Sequence, residues 1–132
     1  MVPFTYRREE RLRRKKLINK LFTKGMSFFS YPFRVVWLIS EETHPYPAQV
    51  LITVSSKNMK RAVDRNRVKR QIREVYRYEK QKIYEQLTEK RQHALIGIIY
   101  TSNEMLSFEE LQEKINLAML RLLKDIKKQL EH

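Results

Sequence analysis

The chain has 132 residues, which suits a single domain with a sizeable hydrophobic core. Lys and Arg number 28 against 15 Asp and Glu, a formal net charge of +13 that favours a polyanionic partner such as nucleic acid. No cysteine, no secretory apolar segment and no bilayer-length apolar run is present, so a disulfide scaffold and a membrane protein are disfavoured and we expect a cytoplasmic protein.

The first predicted element is a short helix that follows a basic stretch at residues 7–16. Four apolar side chains then recur at helical spacing: Leu17, Ile18, Leu21 and Phe22. Gly25 follows them, and glycine is the residue typical of helix C-termini. We therefore predict that the first helix ends at Gly25.

Two strands are predicted next. Phe28 to Ser40 is rich in β-branched and aromatic residues, and both of its alternating sets are apolar, which indicates a strand covered on both faces. The segment from Glu41 to Pro47 contains two prolines and is predicted as a turn. Ala48 to Ser56 is then predicted as a second long strand that pairs back on the first.

The basic residues are most concentrated in the middle of the chain, where residues 61–77 carry seven of the 28 Lys and Arg on one predicted helix. At 100° per residue the apolar side chains form one stripe beside a wide cationic face: Val68, Ile72, Val75 and Tyr76. Only Asp64 and Glu74 oppose the cations, so pairing within the helix cannot neutralise them. Arg dominates over Lys, and its planar guanidinium suits phosphate oxygens and stacked bases.

The helical pattern continues without Gly or Pro to about Lys90, and periodicity leaves open whether it is one helix or two. Ala94 to Thr101 is predicted as a third, buried strand. Ser107 and Glu110 fit a capping box at the start of a long amphipathic C-terminal helix.

The resulting order α-β-β-α-β-α predicts an α+β fold, a small sheet packed by helices, in which the second strand or the basic helix could be split. We expect one domain over residues 1–130, and residues 131–132 resemble the junction of an expression tag.

Residues able to carry catalysis are scarce. The three histidines have no metal-ligand spacing, Asp64 and Asp125 are the only aspartates, and the sequence has no glycine-rich phosphate loop. The adjacent Glu41 and Glu42 fit a charged hairpin tip better than a metal site. We therefore predict neither catalytic residues nor metal ligands in this chain.

A basic helix set between strands, with aromatic residues nearby, suits single-stranded RNA better than duplex DNA, which is usually bound by helix-turn-helix or zinc modules. Single strands require cations along the backbone and aromatic side chains for stacking, each stacked base contributing about 1–3 kcal/mol. Core packing is the commoner alternative for each of the candidate stacking residues: Phe22, Phe33, Trp37 and Tyr76.

The segment Ala62 to Glu74, Ala-Val-Asp-Arg-Asn-Arg-Val-Lys-Arg-Gln-Ile-Arg-Glu, resembles the Arg-Asn-Arg signature of the bacterial ribonuclease P protein component. The resemblance extends to the helix ending at Gly25, the strand exit Val54-Ser-Ser-Lys57 and the closing helix. It implies a small protein that binds a large catalytic RNA and, through a central cleft, the single-stranded 5′ leader of precursor tRNA. The RNA with Mg²⁺ would perform the hydrolysis, so this chain would serve as a subunit of the tRNA-processing endoribonuclease.

The resemblance also assigns individual residues. Six of them match signature positions that, in the family, face the catalytic RNA and the metal and substrate region: Arg65, Asn66, Arg67, Lys69, Arg70 and Arg73. Phe22 matches an aromatic residue of the leader cleft, and Lys57 matches a basic residue at its strand edge. We assign Arg61 to the same cleft.

Three departures from the family pattern concern this cleft. Ile18 and Val36 stand where the family usually has aromatic residues, and Asn58-Met-Lys60 replaces the usual Lys-x-Gly. The resemblance therefore implies fewer stacked bases, or stacking on Trp37 or Phe33 instead.

A further implication is topological. The strand ending near Ser56 and the strand from Ala94 would be parallel neighbours joined by a left-handed crossover, although about 98% of such connections are right-handed. The expected partners are the catalytic RNA and precursor tRNA, without a membrane or an obligate protein partner. The alternatives are a ribosome-associated RNA-binding protein, a toxin-like endoribonuclease and a DNA-binding regulator.

Overall fold

A computed structural model of the chain describes residues 7–40 and 45–131. A 3-10 helix at Arg8–Glu10 precedes four α-helices and four strands within this part of the chain: α1 Lys15–Lys24, β1 Met26–Ser30, β2 Phe33–Ser40, β3 Ala48–Val54, α2 Ala62–Glu79, α3 Gln81–Glu89, β4 His93–Tyr100 and α4 Phe108–Leu130. The predicted α+β class is confirmed.

The four strands form one sheet in the order β1-β2-β4-β3. β2 pairs antiparallel with both β1 and β4, and β3 pairs parallel with β4. The prediction that the Ala48 strand pairs back on the preceding one is wrong, because β4 inserts between them. The parallel pairing implied by the resemblance is confirmed, and the left-handed sense of the crossover stays a prediction.

The predicted strand from Phe28 to Ser40 is two strands joined by a tight turn at Tyr31 and Pro32. Proline has no backbone N–H for the ladder and suits a turn. The sequence pattern does not predict this turn, because aromatic and β-branched residues typical of strands occur both before and after it.

The long basic stretch is two helices, which settles the alternative that periodicity left open. α2 ends at Glu79, α3 begins at Gln81, and Lys80 between them is 1% exposed. The Lys80 ammonium forms a buried ion pair with Glu10, whose carboxylate also accepts a hydrogen bond from Tyr84 Oη at 2.8 Å. The N-terminal segment is thereby fastened to the junction of the two helices.

Both faces of the sheet are covered, but unequally. α2, α3 and α4 pack on one face and enclose the larger core, which includes Phe33, Trp37 and Tyr100. α1 packs on the other face over β2 and β4, where a smaller cluster forms: Leu12, Leu17, Leu21, Val36 and Leu95. Because α1 spans only 10 residues, it covers only part of its face.

α4 begins at Phe108, and Ser107 caps its N-terminus as predicted. The Ser107 hydroxyl accepts a hydrogen bond from the Glu110 N–H at 3.1 Å, and the Glu110 carboxylate lies 3.2 Å from the same hydroxyl. The N-cap half of the predicted capping box is therefore confirmed.

Candidate nucleic-acid interface

A row of side chains crosses the α1 face of the sheet near the end where β3 and β4 finish. Phe29 of β1 pairs with Arg34 of β2, Arg34 with Ile99 of β4, and Ile99 with Thr53 of β3. Paired residues point to the same side of a sheet. Arg34 and Phe29 are exposed, while Ile99 and Thr53 are half-buried.

Phe22, in the last turn of α1, lies beside this row. A Cβ atom placed on Gly97 would lie 3.7 Å from Phe22 Cζ, so the ring extends over the middle of the sheet next to Ile99 in β4. Phe22 is 40% exposed, which leaves part of the ring accessible. We call Phe22 together with Phe29, Arg34, Ile99 and Thr53 the open sheet face.

The loop between β3 and α2 leaves the sheet at this same end and is fixed by hydrogen bonds. Asn58 Nδ2 donates to the Thr101 carbonyl at 2.6 Å, and the buried Met59 donates its N–H to the Ser55 carbonyl at 2.9 Å. The departure from the family pattern at these residues thus anchors the loop. Lys57 in this loop and Arg61 at its end are exposed.

α2, the signature helix, lies against β3 and α4 and buries its predicted apolar stripe. Asn66, Arg67 and Arg70 are exposed, whereas Arg65, Lys69 and Arg73 are half-buried at the margin of the stripe. Arg65 Nη1 donates to the carbonyl oxygens of Met59 at 3.0 Å and Lys60 at 2.7 Å.

The charge of the signature helix is poorly compensated within the described part of the chain. Arg77 pairs with Glu74 at 2.6 Å, and Arg61 Nε lies 3.9 Å from the Asp64 carboxylate. Four other cations form no ion pair with a described residue: Arg67, Lys69, Arg70 and Arg73. The Nε atom of Arg73 is buried and has no hydrogen-bond partner there. An anionic partner would compensate the exposed guanidinium groups of Arg67 and Arg70.

Two leader-cleft residues do not lie on this surface. Phe33 and Trp37 are 0% and 2% exposed and belong to the larger core beneath the helices. They pair with Tyr100 and Ile96, on the face of the sheet opposite Phe22. The expectation that Phe33 or Trp37 stacks on a bound strand is therefore wrong, because alternation along β2 turns both inward.

Tyr76, the remaining candidate for stacking, is also fully buried, at 0% exposed. Val36 is 2% exposed under α1, so the aliphatic residue at this position fills the smaller core rather than a cleft.

Three exposed residues that the sequence reasoning missed lie at this end of the sheet. Phe29 is 58% exposed on the open sheet face, and its ring contacts the 49% exposed Tyr31 ring edge-on at 6.4 Å between centroids. Arg34 lies between the aromatic pair and the centre of the sheet. If Pro32 is recognised as part of a hairpin turn, the sequence predicts that Phe29 and Arg34 pair and share one face of the sheet.

Neither a metal centre nor a membrane span emerges from the described ranges. Residues 7–40 and 45–131 contain no group of three or more His, Asp or Glu side chains placed to hold a metal ion. Among the helices of these residues, none combines the length and the apolar character that crossing a bilayer requires.

A basic α+β protein with uncompensated guanidinium groups beside an open sheet face and exposed aromatic rings belongs to the nucleic-acid-binding class. The sequence model of the Ribonuclease P family matches residues 6–123. The chain therefore belongs to the ribonuclease P protein family.

Similar proteins agree with this placement. The chain is 34% identical over 119 residues to the ribonuclease P protein component of Porphyromonas gingivalis, covering 90% of this chain and 87% of that protein. It is 37% identical over 123 residues to the component of Chlorobium phaeobacteroides, covering 86% and 84%.

Solved structures show the same fold. The RNase P protein from Thermotoga maritima superposes with a TM-score of 0.63 at 28% identity, covering 88% of this chain and 96% of that one. The Staphylococcus aureus RNase P protein superposes with a TM-score of 0.69 at 24% identity, covering 87% and 95%. By family, the chain is the protein subunit of an RNA-based endoribonuclease, with RNA binding and tRNA 5′ processing as its function.

Proposed function

We propose that the signature helix binds the catalytic RNA while the open sheet face receives the single-stranded 5′ leader of precursor tRNA. The observation that carries this proposal is the placement of uncompensated cations and an exposed aromatic ring at one end of the sheet. Arg67, Arg70 and Asn66 project from the signature helix, and Phe22 lies over the open face.

In this proposal each residue type has a separate task. Arg67, Lys69, Arg70 and Arg73 contact RNA phosphates, and Asn66 adds a hydrogen-bonding amide. Phe22 provides a stacking surface for a leader base, while Lys57 and Arg61 neutralise leader phosphates at the edge of the open face. Arg65 acts mainly by holding the loop that carries Lys57.

The proposal assigns the catalytic Mg²⁺ to the RNA, because the family is that of an RNA-based enzyme. The part of the protein is to bind and order the RNA strands around it. The proposal places this reaction in the cytoplasm.

Reconstitution tests this function directly. The protein is added to a bacterial ribonuclease P RNA at a Mg²⁺ concentration too low for the RNA alone, and release of the 5′ leader is measured. We expect processing to return. Failure of processing with several such RNAs would contradict the proposal.

Leader binding has its own test in the variant Phe22→Ala. Loss of one stacked base lowers affinity by a factor corresponding to about 1–3 kcal/mol. Precursor tRNA should therefore bind to the reconstituted enzyme less tightly, while mature tRNA should bind as before. Phe108→Ala is the matched control, because Phe108 is 41% exposed on α4, against 40% for Phe22. Equal behaviour of the two variants would remove Phe22 from the leader site.

A toxin-like endoribonuclease and a ribosome-associated protein predict different results. The first would cut RNA without an RNA subunit in the presence of EDTA. The second would not discriminate between precursor and mature tRNA.

A further inference from the structure

A second cationic surface lies at the other end of the sheet. A cavity of about 230 Å³ is lined by seven residues: Arg8, Glu9, Arg11, Arg13, Arg14, Pro45 and Gln49. We call it the arginine cavity. None of the residues assigned to the signature helix or the open sheet face lines it.

The arginines are presented by ordered backbone. Arg11 forms a β-bridge with Val50 of β3, and the buried Leu12 donates its N–H to the Val50 carbonyl at 2.9 Å. Gln49 Nε2 donates to the Glu9 carbonyl at 3.0 Å. The buried pair between Glu10 and Lys80 holds the same segment from the other side.

The cavity lies far from the loop that carries Lys57. It lies at the start of β3, while that loop leaves from the end of β3, so Ala48–Val54 separates the cavity from the loop. Seven residues of strand span roughly 20 Å at about 3.3 Å per residue, which exceeds the Debye length of about 8 Å at physiological salt.

Positive charge in the cavity is largely uncompensated within the part of the chain that the structure describes. Arg8, Arg13 and Arg14 are exposed and form no ion pair with a described residue. Glu9 is the one carboxylate that lines the cavity among these residues. Two further cations, Lys15 and Lys16, begin α1 beside it.

The composition of the lining indicates the kind of ligand. Four guanidinium groups around one concavity match the geometry of phosphate oxygens. Among the described residues no aromatic ring lines the cavity, so bases have no stacking surface there, unlike at the open sheet face. Contacts of this type hold a nucleic-acid backbone without reading its sequence.

We propose that the arginine cavity is a second RNA site, which binds the phosphodiester backbone of structured RNA while the signature helix and open sheet face hold other segments. This inference rests on the proposed function. The backbone could belong to the catalytic RNA or to the tRNA body, and the two sources share the same chemistry.

The test uses the triple variant R8Q/R13Q/R14Q in the full-length chain. The control is K124Q/K127Q/K128Q, which removes the same charge from positions near the end of α4. Affinity is measured across a salt series for three RNAs: the catalytic RNA alone, precursor tRNA with the catalytic RNA present, and a single-stranded leader oligonucleotide. Circular dichroism melting verifies that both variants are folded.

We expect R8Q/R13Q/R14Q to bind at least one structured RNA about tenfold more weakly than the control variant does. Its log-log salt slope should also become shallower by about 0.9 for each phosphate that the variant no longer neutralises. Weaker binding to the catalytic RNA alone assigns the backbone to that RNA, and weaker binding only to the precursor assigns it to the tRNA body. Leader oligonucleotide binding should match that of the control.

Equal affinities and slopes for the two triple variants on both structured RNAs would overturn the second site. The variant R67Q/R70Q separates this failure from failure of the proposed function. If R67Q/R70Q weakens RNA binding and R8Q/R13Q/R14Q does not, the role of the signature helix is supported and the second RNA site is ruled out. If R67Q/R70Q binds RNA as tightly as the unmodified protein, the proposed function of the signature helix is contradicted as well.

Discussion

Arg65 illustrates how one residue of a binding signature can serve the fold. Its guanidinium donates to two backbone carbonyl oxygens, those of Met59 and Lys60, and is half-buried. Arg67, two residues later, is exposed instead. The sequence alone treats the two arginines as equivalent, because the signature records residue types and not the direction in which they point.

Replacement of Arg65 and Arg67 by Ala should therefore have different effects. Arg65→Ala removes two hydrogen bonds from a charged donor and should lower the free energy of unfolding by about 1–2 kcal/mol. Arg67→Ala should change it by less than about 0.5 kcal/mol while weakening RNA binding more than it affects stability. Urea unfolding and RNA titration measure both. Equal stability of the two variants would contradict the structural role of Arg65.

Tyr84 makes the stability of the fold sensitive to alkaline pH. Burial raises the pKa of Tyr84 far above its ordinary value, and the neighbouring Tyr76 and Glu10 raise it further. Burial also raises the pKa of Tyr100. The unfolded chain releases these protons near pH 10 while the folded chain retains them, so their contribution is present below about pH 10 and is lost as pH rises above it.

We expect the free energy of unfolding to fall steeply between about pH 10 and 11, and to fall less steeply in Tyr84→Phe. Chemical unfolding at a series of pH values measures both slopes. Tyr78→Phe is the control, since Tyr78 is 50% exposed and its removal should leave the slope of the parent. An identical slope in Tyr84→Phe and the parent would show that Tyr84 does not cause the alkaline loss.

At the scale of secondary-structure elements, the sequence predicts helices and strands from local patterns better than it predicts which strands pair. Three local predictions are confirmed: the first helix, the buried strand at β4 and the α4 cap. Each of them could be predicted because it depends on residues close together in the sequence. The partner of β3 could not be read from periodicity, because 38 residues separate the end of β3 from the start of β4. The helix break falls at Lys80, whose side chain pairs with Glu10, 70 residues away in the sequence.

Gly25 is required at the α1 to β1 junction by space. Its φ of −72° is open to any residue, so the predicted helix-terminating glycine is not left-handed. A Cβ atom at Gly25 would collide with the Leu21 carbonyl oxygen and lie 3.0 Å from that of Trp37. These are backbone atoms, which cannot yield without moving the helix or the strand.

Gly25→Ala should consequently lower the free energy of unfolding by about 1–3 kcal/mol, the usual cost of forcing extra atoms into packed structure. Gly97→Ala is the matched control, because its Cβ would meet side chains at 3.4 Å or more, an ordinary contact distance. It should cost less than about 1 kcal/mol. Thermal melting compares the two, and a milder effect at Gly25 than at Gly97 would refute the steric argument.

At the scale of the whole molecule, the charge of the sequence predicted a nucleic-acid partner correctly, whereas the aromatic residues were a poor guide to which side chains lie on the open sheet face. The excess of cations and their clustering at residues 61–77 can be seen in the sequence. In the structure several of these cations, including Arg61, Arg67 and Arg70, are exposed. The choice among aromatic side chains depended on which face each strand residue takes. A shift of one residue moves a strand side chain to the opposite face of the sheet. Because the turn at Pro32 was not predicted, the exposed Phe29 was missed and the buried Trp37 was chosen instead.

Salt should control the affinity of the whole protein for RNA. Each phosphate of a single strand neutralised by the protein contributes about −0.7 to the slope of log K against log salt, because binding releases condensed counterions. A leader held by Lys57, Arg61 and Arg34 should thus give a slope of about −2 when fluorescence anisotropy is recorded with a leader oligonucleotide. The variant K57Q/R61Q should have a shallower slope by about 1.4, whereas K127Q/K128Q, with the same charge loss far from the open sheet face, should keep the parent slope. A flat dependence in the parent protein would mean that phosphate contacts do not drive leader binding.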